Sequence, residues 1–168
     1  EEFGVSRQIQ KMKAVSEVFF KEICELGVPV IVEADGARRM PCKVPAAHEP
    51  VIVPRTTTVC SVYGLDAIGQ RICDCCFRAE LAAEILGKRE TDRLEAADLA
   101  KIAADGNGGC KGVLRGMEHW VILNKADTDQ RKESAEEVCR ELERYGNRRI
   151  LITSSEENER SERFVQKQ

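Results

Sequence analysis

Trp120-Val121-Ile122-Leu123-Asn124-Lys125-Ala126-Asp127 is the stretch on which the fold turns. A short apolar run ends in Asn-Lys-x-Asp, and a polar stretch with helical spacing follows. That is the form of a strand buried in a parallel sheet, with a loop at its carboxyl end leading into a helix. The residue types suit a guanine base. A carboxylate at Asp127 accepts from both the ring N–H and the exocyclic amine of guanine, a pair of donors that adenine does not present. Asn124 binds the O6/N7 side or ties neighbouring loops together. The stem of Lys125 lies along the base plane with its ammonium in water. Four residues recur by chance, so the strand before and the helix after carry much of the weight. The competing reading is an ordinary strand-to-helix turn, with Asp127, Thr128 or Asp129 capping the helix.

Further elements of the same kind flank this one. Apolar side chains recur at helical spacing from Val5 to Leu26, and Gly27 is a stop. Val28-Pro29-Val30-Ile31-Val32 reads as a short buried strand ending at Glu33-Ala34-Asp35-Gly36. Pro29, Pro41, Pro45, Pro50 and Pro54 are all the prolines of the chain. Pro41, Pro45, Pro50 and Pro54 make 36–57 a long, stiffened loop, of a length that is usually functional or disordered. A second strand is expected over 58–63 and a helix over 77–87. Thr91 is placed to cap another helix reaching about Ala104. A glycine-rich loop fills 105–112. The decisive strand lies at 119–124. A helix over about 129–145 turns Ala135, Val138, Leu142 and Tyr145 to one face, and a last strand spans 148–153. Short apolar strands separated by helices predict an α/β fold, a mostly parallel sheet covered by helices on both faces. Residues 1–155 read as one domain and 156–168 as a charged tail, a frayed helix or disordered.

The chain has 168 residues, enough for one domain with a real core, and a third of them are charged. A net charge of −3 argues against nucleic acid or an anionic membrane as the main partner. No apolar run approaches the roughly 20 residues of a membrane span. There is no signal peptide at the start, so a cytoplasmic protein is expected. Of the eight cysteines, Cys24, Cys60 and Cys139 read as small buried hydrophobes, while Cys42 and Cys110 fall in loops. Cys73, Cys75 and Cys76 form a C-x-C-C cluster without the paired spacing of a zinc site, so zinc or another metal is not expected there.

In parallel sheets ligands gather at the carboxyl ends of the strands. Three polar clusters fall there: Glu33 with Asp35, Asn124 with Lys125 and Asp127, and Thr153-Ser154-Ser155. Asp35 has the form of a Walker B acid that holds Mg²⁺ beside nucleotide phosphates. Asp-Gly is also a common turn pair. Glu33 projects to the same side and is placed to activate water. Ser154 follows Asn-Lys-x-Asp by one helix and one strand, where a GTP-binding domain puts its second base loop. A phosphate cradle of the form G-x-x-x-x-G-K-[ST] is absent. Gly64 to Gly69 has the glycine spacing, but Gln70-Arg71 stands where Lys-Ser/Thr is needed.

Five stretches together carry a resemblance. They are Val32-Glu33-Ala34-Asp35-Gly36-Ala37-Arg38-Arg39, the run Lys43 to Ile52 with His48-Glu49-Pro50, Val62 to Gly69, Arg78-Ala79-Glu80-Leu81, and Leu123 to Asp127. In order and over about 28–155, the chain resembles the YqeC family of selenium-dependent hydroxylase accessory proteins. The resemblance implies a P-loop NTPase-like fold and a part in maturing selenium-dependent molybdenum hydroxylases. By position it also assigns the acid to Asp35, with Glu33 beside it. The loop residues are Lys43, His48 and Glu49, and the base loop is Asn124, Lys125 and Asp127. Family members carry a glycine-rich phosphate loop near the amino terminus, which this chain lacks. They tend to have His where this chain has Phe77.

The loop 36–57 is therefore expected to set Lys43 and Arg38 or Arg39 on phosphate, with His48 and Glu49 on a metal, a cofactor fragment or the client enzyme. The plain alternative is that Glu49 caps a turn and His48 packs on the loop. The expected ligand is GTP, or ATP, with Mg²⁺. The expected partner is the molybdenum hydroxylase or its cofactor machinery, and a homodimer is an allowed assembly. If nucleotide is hydrolysed, Asp35 positions Mg²⁺ and water attacks the γ-phosphoryl group. The alternative is a non-hydrolysing chaperone or binding module that handles metal or selenium through its cysteines or the His48 loop.

Overall fold

A computed structural model describes residues 16–154 and 164–165. The chain divides into two compact units, residues 1–33 and 34–168. In the first unit, α1 spans Glu17–Glu25, and the Ser16 hydroxyl at its N-cap accepts from Phe19 N. The rest of the helix expected from residue 5 lies outside the described residues. The strand expected over Val28–Val32 does not form. The segment is irregular, with Ile31 98% exposed. A strand needs a neighbour for its backbone groups, and Pro29 also lacks an N–H to give.

The second unit is built on parallel strands. β1 (Cys42–Lys43) pairs in parallel with β3 (Cys76–Phe77). The main sheet has the order β2 (Thr58–Gly64), β4 (Glu118–Asn124), β5 (Ile150–Ile152) and β6 (Phe164–Val165). The first three strands run parallel and β6 runs antiparallel to β5. The other expectations for the 156–168 tail lie outside the described residues. Between the strands come a 3-10 turn at Leu65–Ala67, α2 (Ile72–Cys75), α3 (Ala79–Leu86), α4 (Ala96–Ala104) and α5 (Asp129–Arg144). This is an α/β arrangement of two small, largely parallel sheets with helices.

The core explains the strand phases. Tyr63, Val121, Leu123 and Ile150 are buried together with Leu99, Ala100 and Ala103 of α4 and Ala135, Val138 and Leu142 of α5. Their β2 alternates Thr58, Cys60 and Val62 are exposed. Among the described residues, the expected cover is thus met on one face of the sheet. Tyr145, expected on the apolar face of α5, is exposed beyond its end. Thr91 does not cap α4. Glu95 and Asp98 do so reciprocally, and Lys88 reaches Asp98 at 2.6 Å. α3 stops at left-handed Gly87, as its sequence predicts.

The cysteines depart from expectation. Cys60 is exposed, and Cys24 and Cys139 are half-buried. Cys42 lies buried in β1 rather than in a loop, in register with buried Cys76.

Candidate functional site

The strand β4 delivers Asn124 to the carboxyl rim of the sheet, and the chain then turns sharply through Lys125, whose φ is 67°. Asn124 Oδ1 accepts from Lys125 N at 2.8 Å and from the Thr153 hydroxyl at 2.9 Å. Asp127 Oδ1 accepts from the Ser154 hydroxyl at 2.7 Å, and Arg131 stands 3.5 Å from Oδ2. Ala126 N donates to Thr153 O at 3.0 Å. The Asn-Lys-x-Asp loop and the end of β5 are thereby laced into one surface. Thr128 caps α5, accepting from Arg131 N, so the turn reading holds for Thr128 while Asp127 faces Ser154 instead.

Lys125 differs from expectation. Its ammonium is not left in water but pairs with Asp66 Oδ2 at 2.6 Å. Asp66 sits in the 3-10 turn that follows β2, and its Oδ1 is buried without a hydrogen-bond partner. The sequence had given this aspartate no role. Its only signal was its position just past a strand end.

A second polar cluster gathers around β1 and β3. Lys43, with a side chain only 9% exposed, pairs with Asp35 at 3.0 Å and Glu49 at 2.7 Å, and donates to Gly36 O at 3.0 Å. Arg78 grips Glu49 with two bonds of 2.8 and 3.0 Å and also donates to Val44 O. Arg78, followed by Lys43, holds the Glu49 carboxyl down at about 2. Phe77 lies under this group, with the guanidinium carbons of Arg78 and Arg38 at 4.3 and 4.7 Å from its ring centre. Phe77 is therefore a platform for cations, a role that local sequence pattern does not reveal for it or for Arg78.

The remaining candidates fall as follows. Glu33 is exposed and closes the first unit. Asp35 stands in irregular backbone, not at a strand end, because the strand before it is missing. Arg38 and Arg39 form an exposed turn. The His48 ring is 81% exposed and 3.9 Å from Glu49. Glu49, engaged by Arg78 and Lys43, is an internal tie. Its contact with Ala46 N, 3.5 Å, is the turn cap of the plain alternative. Lys43 is enclosed by its partners and has no face turned to a phosphate.

The C-x-C-C run does not converge on one point. Cys75 and Cys76 are buried while Cys73 is half-exposed, and burial pushes the Cys75 thiol up to about 12. A nucleotide would bring Mg²⁺, but the residues present do not fit that ion well. Asp35 offers one carboxylate, drawn onto Lys43, and no three His, Cys, Asp or Glu groups converge among the described residues.

Fold and rim together define a parallel α/β protein whose polar loops are laced at the carboxyl ends of its strands. The chain is similar to the YqeC family, whose model "YqeC protein" matches its residues 3–80. It is 26% identical over 130 residues to "Uncharacterized protein YqeC" of Escherichia coli (strain K12), across 77% of this chain and 51% of that relative. The chain thus spans about half the length of the curated relative it matches. No solved structure matches it significantly. None of the helices described is long and apolar enough to cross a membrane.

Proposed function

We propose that the rim formed by Asn124, Lys125, Asp127, Thr153 and Ser154 binds the guanine base of GTP. The supporting observation is the paired lacing of Asn124 to Thr153 and of Asp127 to Ser154. Each hydroxyl donates to one loop residue and fixes its side chain before a ligand arrives. An ionised carboxylate has about four acceptor sites, so Asp127 can accept from guanine donors alongside its contacts to Ser154 and Arg131. Preorganised acceptors of this kind discriminate strongly against a base that lacks the donors. On this reading the fold is P-loop NTPase-like. The protein is a nucleotide-binding accessory factor that gates maturation of selenium-dependent molybdenum hydroxylases, a client taken from the family resemblance.

Binding without hydrolysis is the second reading, and the Asp35–Lys43 pair favours it. A carboxylate held by an ammonium at 3.0 Å is a poor metal ligand.

Calorimetric titration with GTP and ATP tests the base site. The expected result is GTP binding, lost by at least tenfold in Asp127→Asn. That variant should gain affinity for xanthosine triphosphate, whose C2 oxygen accepts from the new amide. Equal binding of GTP and ATP, or GTP binding indifferent to Asp127→Asn, sinks the guanine site.

A further inference from the structure

The turn carrying Arg38 and Arg39 has unusual backbone. Both residues have positive φ, 51° and 65°, and Met40 N donates to Ala37 O at 2.9 Å. A tight turn with two left-handed central residues normally takes Asn or Gly, because a β-carbon is crowded there. Here it holds two arginines instead. Both are exposed, and among the described residues neither guanidinium makes a hydrogen bond or an ion pair. The Arg38 guanidinium carbon lies 4.7 Å from the Phe77 ring centre, a cation–π contact that uses none of its N–H groups. The neighbouring charges already balance, Lys43 and Arg78 against Asp35 and Glu49. Arg38 and Arg39 are a local positive surplus on a chain of net charge −3.

The turn is also fastened to the nucleotide rim. It runs straight into Pro41, whose carbonyl accepts from Gly64 N at 2.8 Å. Gly64 ends β2 and is the register partner of Asn124. Through Pro41 and Gly64 the arginine turn is thus tied to the strand end next to Asn124.

We propose that Arg38 and Arg39 receive the phosphates of the guanine nucleotide, with Arg38 held over the Phe77 ring while its N–H groups meet phosphate oxygens. This rests on the base-site reading above. It excludes Lys43, whose three donors already have partners.

The test uses the full chain with guanosine, GTP and inorganic tripolyphosphate as calorimetric ligands. Arg38→Gly and Arg39→Gly remove the guanidiniums but suit the left-handed backbone, so the variants stay folded and melt no lower than the parent. The expected result is GTP affinity reduced about tenfold by each change, with guanosine affinity unchanged. The parent should bind GTP more tightly than guanosine. If guanosine binds and GTP affinity is indifferent to both glycines, the phosphate site falls and the base site survives. If guanosine does not bind but tripolyphosphate does, and the glycines abolish it, the arginines are an anion site and the base reading falls. Binding of neither ligand overturns both.

Discussion

The Lys125 ammonium pairs with Asp66 at 2.6 Å, and in the proposed base site this pair holds the lysine stem in place. The pair is part-exposed, so its worth is modest, up to about 1 kcal/mol. Asp66→Asn keeps the shape and removes the charge. It should weaken guanosine binding by roughly three- to fivefold, in line with that magnitude. The fold should barely notice, because Oδ1 of Asp66 is already without a partner. Guanosine titration beside a urea melt reads both quantities, and unchanged affinity would remove Asp66 from the site. No pattern in the sequence pairs residue 66 with residue 125, since spacing along the chain does not report such contacts. The same holds for Arg78 and Glu49, which meet across 29 positions. By contrast, the placement of Asn124 and Asp127 between a strand end and a helix was legible, because it follows from a local strand-loop-helix pattern.

At the scale of elements, the end of β2 is where the long loop and the sheet are pinned together. A β-carbon added at Gly64 would come 2.3 Å from Asp66 Oδ1 and 2.9 Å from Pro41 Cβ. Gly64→Ala must therefore push Pro41 away, or Asp66, or both. An overpacked site of this kind costs about 1 to 3 kcal/mol. The expected outcome is a lower urea midpoint, together with weaker nucleotide binding, because Asp66 and the arginine turn both hang on this point. A variant of parental stability would show that the close approach is relieved cheaply. Elements with clear periodicity and clear stops were legible: β2, β4, α3 and α5 fall where their patterns put them. Val28–Val32 was misread because apolar composition marks a strand only when a neighbour pairs with it. The α4 cap was misplaced because Thr91 is a good capping type, while the reciprocal Glu95–Asp98 pair further on offers two bonds.

For the molecule as a whole, Glu49 ties the proline-rich loop to the β3–α3 junction, and this tie makes stability depend on pH. Arg78 and Lys43 hold its carboxyl at about 2, against 4.5 when unpaired. A carboxyl depressed on folding stabilises the native state fully above its unfolded value, and that stabilisation is lost as pH falls toward the folded value. The window is thus from about pH 4.5 down to about pH 2. The size is on the order of 2 to 3 kcal/mol, allowing some screening by solvent at a carboxylate that is 18% exposed. Glu49→Gln leaves two cations facing an amide, so at pH 7 it should be less stable than the parent by a similar amount. Urea midpoints taken at intervals from pH 7 to pH 2 should show the parent falling toward the variant, with the two curves meeting at the acid end. Parallel curves across that range would mean that the Arg78–Glu49–Lys43 tie carries no net stability and that other contacts anchor the loop.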